Sequence, residues 1–224
     1  MIKCVVFDFD GTLVDSNEIK RETFFEIARP WDPTGEVVAA VFARWPAADR
    51  YAKTRRIAEA LIDRKLLPAD ASLEDWASCL ADDYTARCEA AIARCREMPG
   101  ATAALERLSD TGRLLFINSA TPAIPLRQLM ALRNWGHFFQ AVYGAEATKA
   151  ENLLNIARAT GAERTEMVHV GDQLDDQNGA EQFGCHFVAM TAGVADSSVR
   201  KSPLLIEDLQ DLPALLDEIS REAS

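Results

Sequence analysis

The sequence predicts an α/β protein in which a parallel β-sheet is interrupted, early in the chain, by an all-helical insertion. Two observations carry this prediction. From residue 98 onward, short apolar runs alternate with amphipathic helical patterns, and this alternation is typical of a parallel sheet. Before that region, residues 16–97 show helical periodicity and no convincing strand.

The predicted strands are continuous apolar runs rich in β-branched and aromatic residues. Runs without polar alternation are typical of strands that are covered on both faces. The six runs are Cys4–Phe7, Leu114–Ile117, Ala141–Tyr143, Met167–Val170, Cys185–Ala189 and Leu204–Ile206. The helices expected in the same region include Thr102–Ser109, Ala150–Thr160 and Leu209–Ile219. Helices that connect parallel strands make right-handed crossovers.

The insertion contains four segments with the apolar spacing of a helix. The most regular carries Leu73, Trp76, Leu80 and Tyr84 at positions i, i+3, i+7 and i+11. The other three are marked by Phe24, Phe25 and Ile27, by Val37, Val38, Val41, Phe42 and Trp45, and by Ile57, Ala60 and Leu61. We therefore expect residues 1–15 and 98–224 to form one domain and residues 16–97 to form a helical bundle.

The bulk composition excludes several classes of function. The chain has 224 residues and a net charge of −11, so a nucleic-acid partner is not expected. No apolar stretch approaches the roughly 20 residues of a membrane span, and the start lacks a signal-peptide pattern, so no membrane partner is expected. The five cysteines are scattered, which indicates reduced thiols in a cytoplasmic protein. Such a protein is expected to be a monomer or a homodimer.

Polar residues follow four of the predicted strands, at the point where each strand ends. They are Asp8 to Thr12 after the first strand, Asn118 to Thr121 after the second, Thr148-Lys149 after the third, and Gly171 to Asp176 after the fourth. In an open parallel sheet the carboxyl ends of the strands share one edge, and ligands bind there. These side chains are therefore expected to form one site.

This set of residues supports phosphoryl transfer. Separate carboxylates such as Asp8 and Asp172 suit Mg²⁺, which also takes phosphate oxygens. Lys149 adds fixed positive charge, and Ser119 can donate a hydrogen bond. With the substrate's charge offset, Asp8 can act as a nucleophile and form an aspartyl phosphate. Asp10 can protonate the leaving oxygen and then deprotonate the attacking water.

The segment Asp8–Ser16, with the sequence DFDGTLVDS, resembles the first signature of the haloacid dehalogenase-like hydrolase superfamily. Ser119, Lys149 and the segment Gly171–Asp176 resemble its other three signatures, in the right order. The resemblance covers the core and implies a Rossmann-like fold, Mg²⁺ as cofactor and the roles given above. It also implies that the backbone carbonyl of Asp10 joins Asp8 and Asp172 as a metal ligand.

The same resemblance implies that the helical insertion is a cap that opens and closes over the site. In the cap, the basic residues Arg50, Lys53 and Lys20 are candidates for binding the part of an anionic substrate that does not react. Arg50 and Lys53 are three residues apart and share a face if their segment is helical. A solvated helix face is the alternative interpretation of the same charges.

The sequence departs from the family pattern beside two of its signatures. Gln173 follows Asp172, where the family often has Ser, and Ala150 follows Lys149, where it often has Pro. The second signature also offers a choice of hydroxyl. Ser119 is preferred because it lies closest to the strand end, and Thr121 is the fallback.

Two further residues are expected to support the site from behind the reacting groups. Asp176 is expected to support it without binding the metal. Thr12 follows the sharp turn at Gly11 and can cap the segment after it. The histidines show no ligand spacing, and His169 is expected in or near the core.

The sequence thus predicts a Mg²⁺-dependent phosphatase that hydrolyses a small phosphorylated metabolite through a phosphoaspartate. Haloacid dehalogenation is disfavoured because Asp10, a second acid that this reaction does not need, is present. A phosphomutase similar to beta-phosphoglucomutase remains open, since it uses the same first signature. A phosphonatase, which would need a Schiff-base lysine in the cap, also remains open. A non-catalytic binding protein on the same fold is the last alternative.

Overall fold

The computed structural model describes residues 1–46, 48–68, 70, 72–192, 199 and 202–222. The chain forms two compact units. The first, called the core unit below, comprises Met1–Asn17 and Cys95–Ser224, and the second, called the helical unit, comprises Glu18–Arg94. The sequence predicts a catalytic core at 1–15 and 98–224 and a cap at 16–97, and that assignment of roles stays a prediction.

The core unit is built on a six-stranded parallel sheet in the order β3-β2-β1-β4-β5-β6. Its strands are β1 Cys4–Phe7, β2 Leu114–Asn118, β3 Phe139–Tyr143, β4 Met167–Gly171, β5 His186–Met190 and β6 Leu205–Ile206. This confirms the predicted α/β class. β1 lies in the middle, and the strand order reverses on its two sides. Such a reversal opens a crevice at the carboxyl ends of the strands, where ligands bind.

The strand register brings three of the predicted site segments level with one another. Phe7, the last residue of β1, pairs with Ile117 of β2 and with Val170 of β4. The next residue in each strand is therefore at the same height, and the backbone N–H of Asp8 donates to the carbonyl of Val170 at 2.8 Å. The site begins where these three central strands end together.

The expectation that every strand is covered on both faces is wrong for β3. All four residues of β1 and all five of β4 are buried, whereas β3 is exposed or half-buried throughout. β3 lies at the edge of the sheet and pairs only with β2 among the described strands. Continuous apolar character therefore indicated a strand correctly but did not reveal that this strand lies at an edge.

In the described part of the core unit, five α-helices accompany the sheet: α5 Ala101–Asp110, α6 Ala123–Leu132, α7 Lys149–Thr160, α8 Leu174–Phe183 and α9 Leu212–Glu222. The predicted helix at Leu209–Ile219 is wrong at its start. A 3₁₀ turn occupies Leu209–Asp211, and the α-helix begins only at Leu212. Pro213 explains the start, because proline is tolerated in the first turn of a helix but not in its interior.

The start of α7 fixes the position of Lys149. Thr148 precedes the helix, and its hydroxyl accepts a hydrogen bond from the backbone N–H of Glu151 while the Glu151 carboxylate accepts from the N–H of Thr148. This reciprocal capping box satisfies two backbone donors that the helix cannot pair internally. Lys149 is therefore the first residue of a well-anchored helix, and it is buried.

The helical unit contains the predicted helices, which are α1 Asn17–Ala28, α2 Glu36–Arg44, α3 Arg50–Asp63 and α4 Leu73–Ile92. The first residue of α1, Asn17, still belongs to the core unit. Phe24 packs against Tyr84 and Phe42, with ring centroids 4.1 Å and 5.3 Å away. These contacts join three of the four helices through aromatic side chains. At the start of α2, the buried carboxylate of Asp32 accepts hydrogen bonds from the backbone N–H groups of Val37 and Val38.

Within the part of the chain that the structure describes, none of the helices combines the length and the apolar character that crossing a membrane requires.

Candidate active site

Asp8 and Lys149 form a buried ion pair at the centre of the sheet edge. The Lys149 ammonium lies 2.8 Å from Oδ1 of Asp8 and 2.7 Å from Oδ1 of Asp176. All three side chains are less than a tenth exposed. A buried charge is tolerated only where it is paired and hydrogen-bonded, so these three groups depend on one another.

The charges of this cluster are not balanced, and the pKa values reflect the imbalance. Burial raises the pKa of Asp8 to about 6 against the opposing effect of Lys149, and Asp176 and Asp10 add to the rise. Burial opposes the charge of Lys149, but Asp176 and Asp8 together raise its pKa above the ordinary value. Burial also acts against Asp176, yet Lys149 and His169 hold the pKa of that carboxyl well below its usual range.

Asp172 is the second acidic centre of the site. Its side chain is almost fully buried at the end of β4. Its Oδ1 accepts from the Thr12 hydroxyl at 3.2 Å, and its Oδ2 accepts from the amides of Asn17 at 2.7 Å and Gln173 at 2.5 Å. Burial, followed by the nearby charges of Asp8 and Asp176, raises the pKa of Asp172 to about 7.

The backbone at Gly11 makes room for this carboxylate. Gly11 has a φ of +77°, and a Cβ there would lie 2.4 Å from Oδ2 of Asp172 and 2.2 Å from the amide nitrogen of Asn17. A side chain at this position would collide with both groups, and the left-handed conformation itself favours glycine. Gly11 therefore allows the turn after β1 to approach Asp172 closely.

This acidic cluster fits a metal site. Carboxylate oxygens of Asp8, Asp172 and Asp176 lie within 4.8 Å of one another, and all three residues are buried. Asp176 is already engaged, since Lys149 and His169 contact its Oδ1 and the backbone N–H of Gln173 donates to its Oδ2. Burial, with neighbouring carboxylates, raises the pKa values of Asp8 and Asp172. A cation would offset this cost of ionisation, and oxygen donors suit Mg²⁺.

Asp10 is held by two hydroxyl groups. Ser16 donates to Oδ1 at 2.6 Å, and Thr121 donates to Oδ2 at 2.9 Å. Asp10, Ser16 and Thr121 are all buried. Because each carboxylate oxygen has its own donor, the orientation of Asp10 is fixed from two sides.

The structure brings Ser119 to the same site, directly after β2. Its side chain is buried, and its Oγ accepts a hydrogen bond from the backbone N–H of Thr121 at 3.2 Å. The Thr121 hydroxyl points to Asp10 instead. The Thr121 hydroxyl is thus engaged by Asp10, and Ser119 stays the predicted donor to a phosphate oxygen.

Two buried asparagines, Asn118 and Asn152, form the hydrogen-bonded surroundings of Lys149. The Lys149 ammonium donates to the carbonyl of Asn118 at 2.6 Å, and the Asn118 amide donates back to the carbonyl of Lys149 at 3.0 Å. The Asn152 amide donates to Oδ1 of Asn118 at 3.0 Å and to the carbonyl of Gly144 at 3.0 Å. These contacts tie the end of β2 to the start of α7.

The basic residues predicted for substrate binding lie in the helical unit, where each has contacts of its own. The Lys53 ammonium donates to the carbonyls of Pro46 and Ala48, and burial lowers its pKa. The Arg50 guanidinium lies 5.8 Å from the centre of the Tyr84 ring. Lys20 is on α1. Binding of substrate by these residues stays a prediction.

Sequence reasoning missed several residues of the site. No role in the site was predicted for Ser16 or Asn17, yet Ser16 donates to Asp10 and Asn17 donates to Asp172. Asn118, Asn152 and His169 were not given roles. Ser16 stands within the quoted first signature, so its place in that motif was the available signal. Asn118 lay in the predicted strand-end segment without a role of its own. Asn17, Asn152 and His169 join the site through tertiary contacts that no local spacing indicates.

The comparison with known families decides the identity of the fold. The family model of the haloacid dehalogenase-like hydrolases matches residues 2–184. This chain belongs to that family. The match extends from β1 through α8 and includes all four strand ends that build the site. The predicted membership of the superfamily is confirmed.

A curated relative and several solved structures resemble this member of the family over nearly their whole length. The phosphoglycolate phosphatase of Rhodobacter capsulatus is 26% identical over 210 residues, which cover 91% of this chain and 89% of the relative. A solved structure from Thermotoga maritima carries the inferred name beta-phosphoglucomutase. It superposes with a TM-score of 0.74 at 17% identity, and the match covers 97% of this chain and 99% of the Thermotoga maritima chain.

A further solved structure shows that the fold alone does not fix the reaction. The L-2-haloacid dehalogenase of Xanthobacter autotrophicus superposes with a TM-score of 0.64 at 22% identity, covering 97% of this chain and 99% of its own. Enzymes named for carbon–halogen and for phosphate chemistry thus share this architecture. The reaction must therefore be argued from the site residues.

Proposed function

We propose that this enzyme is a Mg²⁺-dependent phosphatase that hydrolyses a small phosphorylated metabolite through a phosphoaspartate on Asp8. The observation that carries the proposal is the buried Asp8–Lys149 ion pair, at 2.8 Å, next to the acidic cluster at the sheet edge. An ammonium in contact with the attacking carboxylate can also stabilise the charge of a phosphoryl group that arrives there.

The residues that would hold Mg²⁺ are Asp8, Asp172 and the backbone carbonyl of Asp10. Mg²⁺ bound there would supply positive charge to the phosphoryl oxygens. The protein's own groups do the rest. The Asp8 carboxylate attacks phosphorus, while Asp10 gives its proton to the leaving oxygen. Ser119 donates a hydrogen bond to the phosphoryl group, and Lys149 balances its charge.

In the second half of the reaction, water attacks the phosphorus of the phosphoaspartate. Asp10, now a carboxylate, takes the proton of that water, so its acid and base roles alternate within one turnover. Inorganic phosphate leaves, and the Asp8 carboxylate is restored. Ser16 and Thr121 keep Asp10 in one orientation during both proton transfers.

The presence of Asp10 supports phosphate chemistry over dehalogenation, because only the former needs a second acid for the leaving group. The name of the Rhodobacter capsulatus relative makes 2-phosphoglycolate the first natural substrate to test. The Thermotoga maritima neighbour keeps a phosphomutase as the second candidate. A phosphomutase would return the phosphoryl group to a sugar phosphate instead of releasing inorganic phosphate.

The test is release of inorganic phosphate from an aryl phosphate and from 2-phosphoglycolate, with Mg²⁺, with EDTA and with the Asp8→Asn variant. We expect turnover that both EDTA and the substitution abolish. A sugar phosphate that isomerises without phosphate release would favour the phosphomutase. Turnover by Asp8→Asn at the wild-type rate would overturn the proposed nucleophile.

A further inference from the structure

His169 is a buried titratable residue that the proposed reaction leaves without a task. It lies in the middle of β4, and its side chain has no exposed surface. Its ring nitrogen Nδ1 is 3.0 Å from the carbonyl oxygen of Val6, on the neighbouring strand β1. Its other nitrogen, Nε2, is 3.3 Å from Oδ1 of Asp176. Nδ1 thus makes a hydrogen bond to a backbone carbonyl, while Nε2 contacts the carboxylate at ion-pair distance without hydrogen-bond geometry.

The chemistry of these two oxygens determines what the ring does. A backbone carbonyl only accepts hydrogen bonds, so Nδ1 of His169 must carry a proton to interact favourably with Val6. A carboxylate also only accepts, and Asp176 lies against the Lys149 ammonium at 2.7 Å, which favours its ionised form. Nε2 of His169 therefore faces an acceptor as well. Because a neutral ring carries a single N–H, only the doubly protonated ring can interact favourably with both oxygens.

A continuous series of contacts runs from this ring to the reacting carboxylate. Oδ1 of Asp176 lies between Nε2 of His169 and the Lys149 ammonium, and that ammonium reaches Oδ1 of Asp8 at 2.8 Å. We propose that His169 is a positioning residue, which holds Asp176 and, through it, holds the Lys149 ammonium against Asp8. This inference rests on the proposed phosphatase function.

The packing around Asp176 leaves little freedom for it to find another position. A Cβ at Gly171 would lie 2.3 Å from the Asp176 carboxyl carbon, so this side chain is pressed against the backbone of β4. A Cβ at Gly179 of α8 would lie 2.4 Å from Cβ of Lys149. Because close-packed groups transmit small displacements, loss of the His169 contact is expected to shift Asp176 and Lys149 together.

Two amide substitutions separate the contacts of the two ring nitrogens. The amide nitrogen of asparagine falls near the position of Nδ1, and that of glutamine falls near the position of Nε2. His169→Asn therefore keeps a donor for the Val6 carbonyl and removes the donor for Asp176. His169→Gln does the reverse. His186→Asn, a change on the neighbouring strand β5, is the matched control for placing an amide in the sheet.

The assay is steady-state hydrolysis of an aryl phosphate with Mg²⁺, with thermal melting of each variant. We expect His169→Asn to lower kcat about 10- to 100-fold with KM within about threefold, the range for partners that orient site residues. We expect His169→Gln to recover most of that loss and His186→Asn to match the wild type. Equal activity of the two His169 variants, at similar melting temperatures, would overturn the proposal.

A second measurement is made on the wild-type protein and does not depend on its activity. In protein labelled with ¹⁵N-histidine, we expect a proton bound to Nε2 of His169, and its signal should vanish in His169→Asn. Absence of this proton in the wild type would overturn the proposal whatever the kinetics. If the wild type instead shows the proton but hydrolyses no phosphate ester, the proposed function fails while the contact itself stands.

Discussion

Gly11→Ala is the substitution whose effect on the proposed metal site follows most directly from the geometry. The added Cβ would lie 2.4 Å from Oδ2 of Asp172, whereas ordinary van der Waals contact begins at 3.4 Å. Asp172 would have to retreat by about 1 Å, and the Asn17 amide, 2.2 Å from the same Cβ, would have to move as well. Mg²⁺ demands nearly ideal octahedral geometry with ligands at about 2.0–2.1 Å, so a shift of this size weakens or removes one ligand.

The expected effect of Gly11→Ala has two parts, a backbone cost and a displacement of Asp172. The φ of +77° at Gly11 costs a residue with a side chain about 1–2 kcal/mol, whatever space is available. The displacement of Asp172 is additional, and we expect it to lower the affinity for Mg²⁺ at least about 10- to 100-fold. Gly161→Ala separates the two parts, because Gly161 has a similar φ of +68° and nothing lies within 4 Å of an added Cβ.

The assay is calorimetric titration of Mg²⁺, combined with thermal melting of the metal-free proteins. We expect Gly161→Ala to lose about 2–8 °C in melting temperature and to bind Mg²⁺ like the wild type. Gly11→Ala should lose at least as much stability and also lose Mg²⁺ affinity. Wild-type affinity in Gly11→Ala would refute the placement of Asp172 as a metal ligand.

Two other predictions concern hydrogen bonds to buried carboxylates. Thr121→Val removes the donor to Oδ2 of Asp10, and we expect kcat to fall about tenfold or more. Thr121→Ser keeps the hydroxyl and should keep the activity. Wild-type turnover by the valine variant would contradict the role given to Thr121. Asp32→Ala removes the acceptor for two N–H groups at the start of α2 and should cost about 0.5–2 kcal/mol in chemical unfolding. Asp32→Asn keeps an acceptor and should lose less, so equal losses would argue against a stabilising role for these two hydrogen bonds.

The fold could be predicted from the sequence where burial and periodicity coincide. β1 and β4 are buried on both faces, and their continuous apolar runs indicated this. β3 has similar apolar character but lies at an edge of the sheet. Its apolar run could not indicate this, because strand order depends on the path of the whole chain. The start of α9 was missed for a local reason, since the apolar spacing continues through Leu209 while Pro213 sets the first α-helical turn.

The candidate site was predictable in its members and only partly in its connections. Asp8, Asp172 and Lys149 follow strands that the sequence located, and parallel strands end at one edge, so their proximity could be expected. The sequence did not indicate where the hydroxyl groups of Ser119 and Thr121 are directed. In the structure the Thr121 hydroxyl donates to Asp10, which is 111 residues away in the chain.

The sequence by itself predicted the α/β class, the helical insertion and the residues that meet at the candidate site. These features depend on patterns that are local or on signatures that occur in a recognisable order. Only the tertiary structure decided which buried polar atoms face each other, such as His169 and Asp176, or Asn17 and Asp172. The physical reason is that a buried polar group must find a partner, but its chemistry does not say which distant residue the folded chain will bring to it.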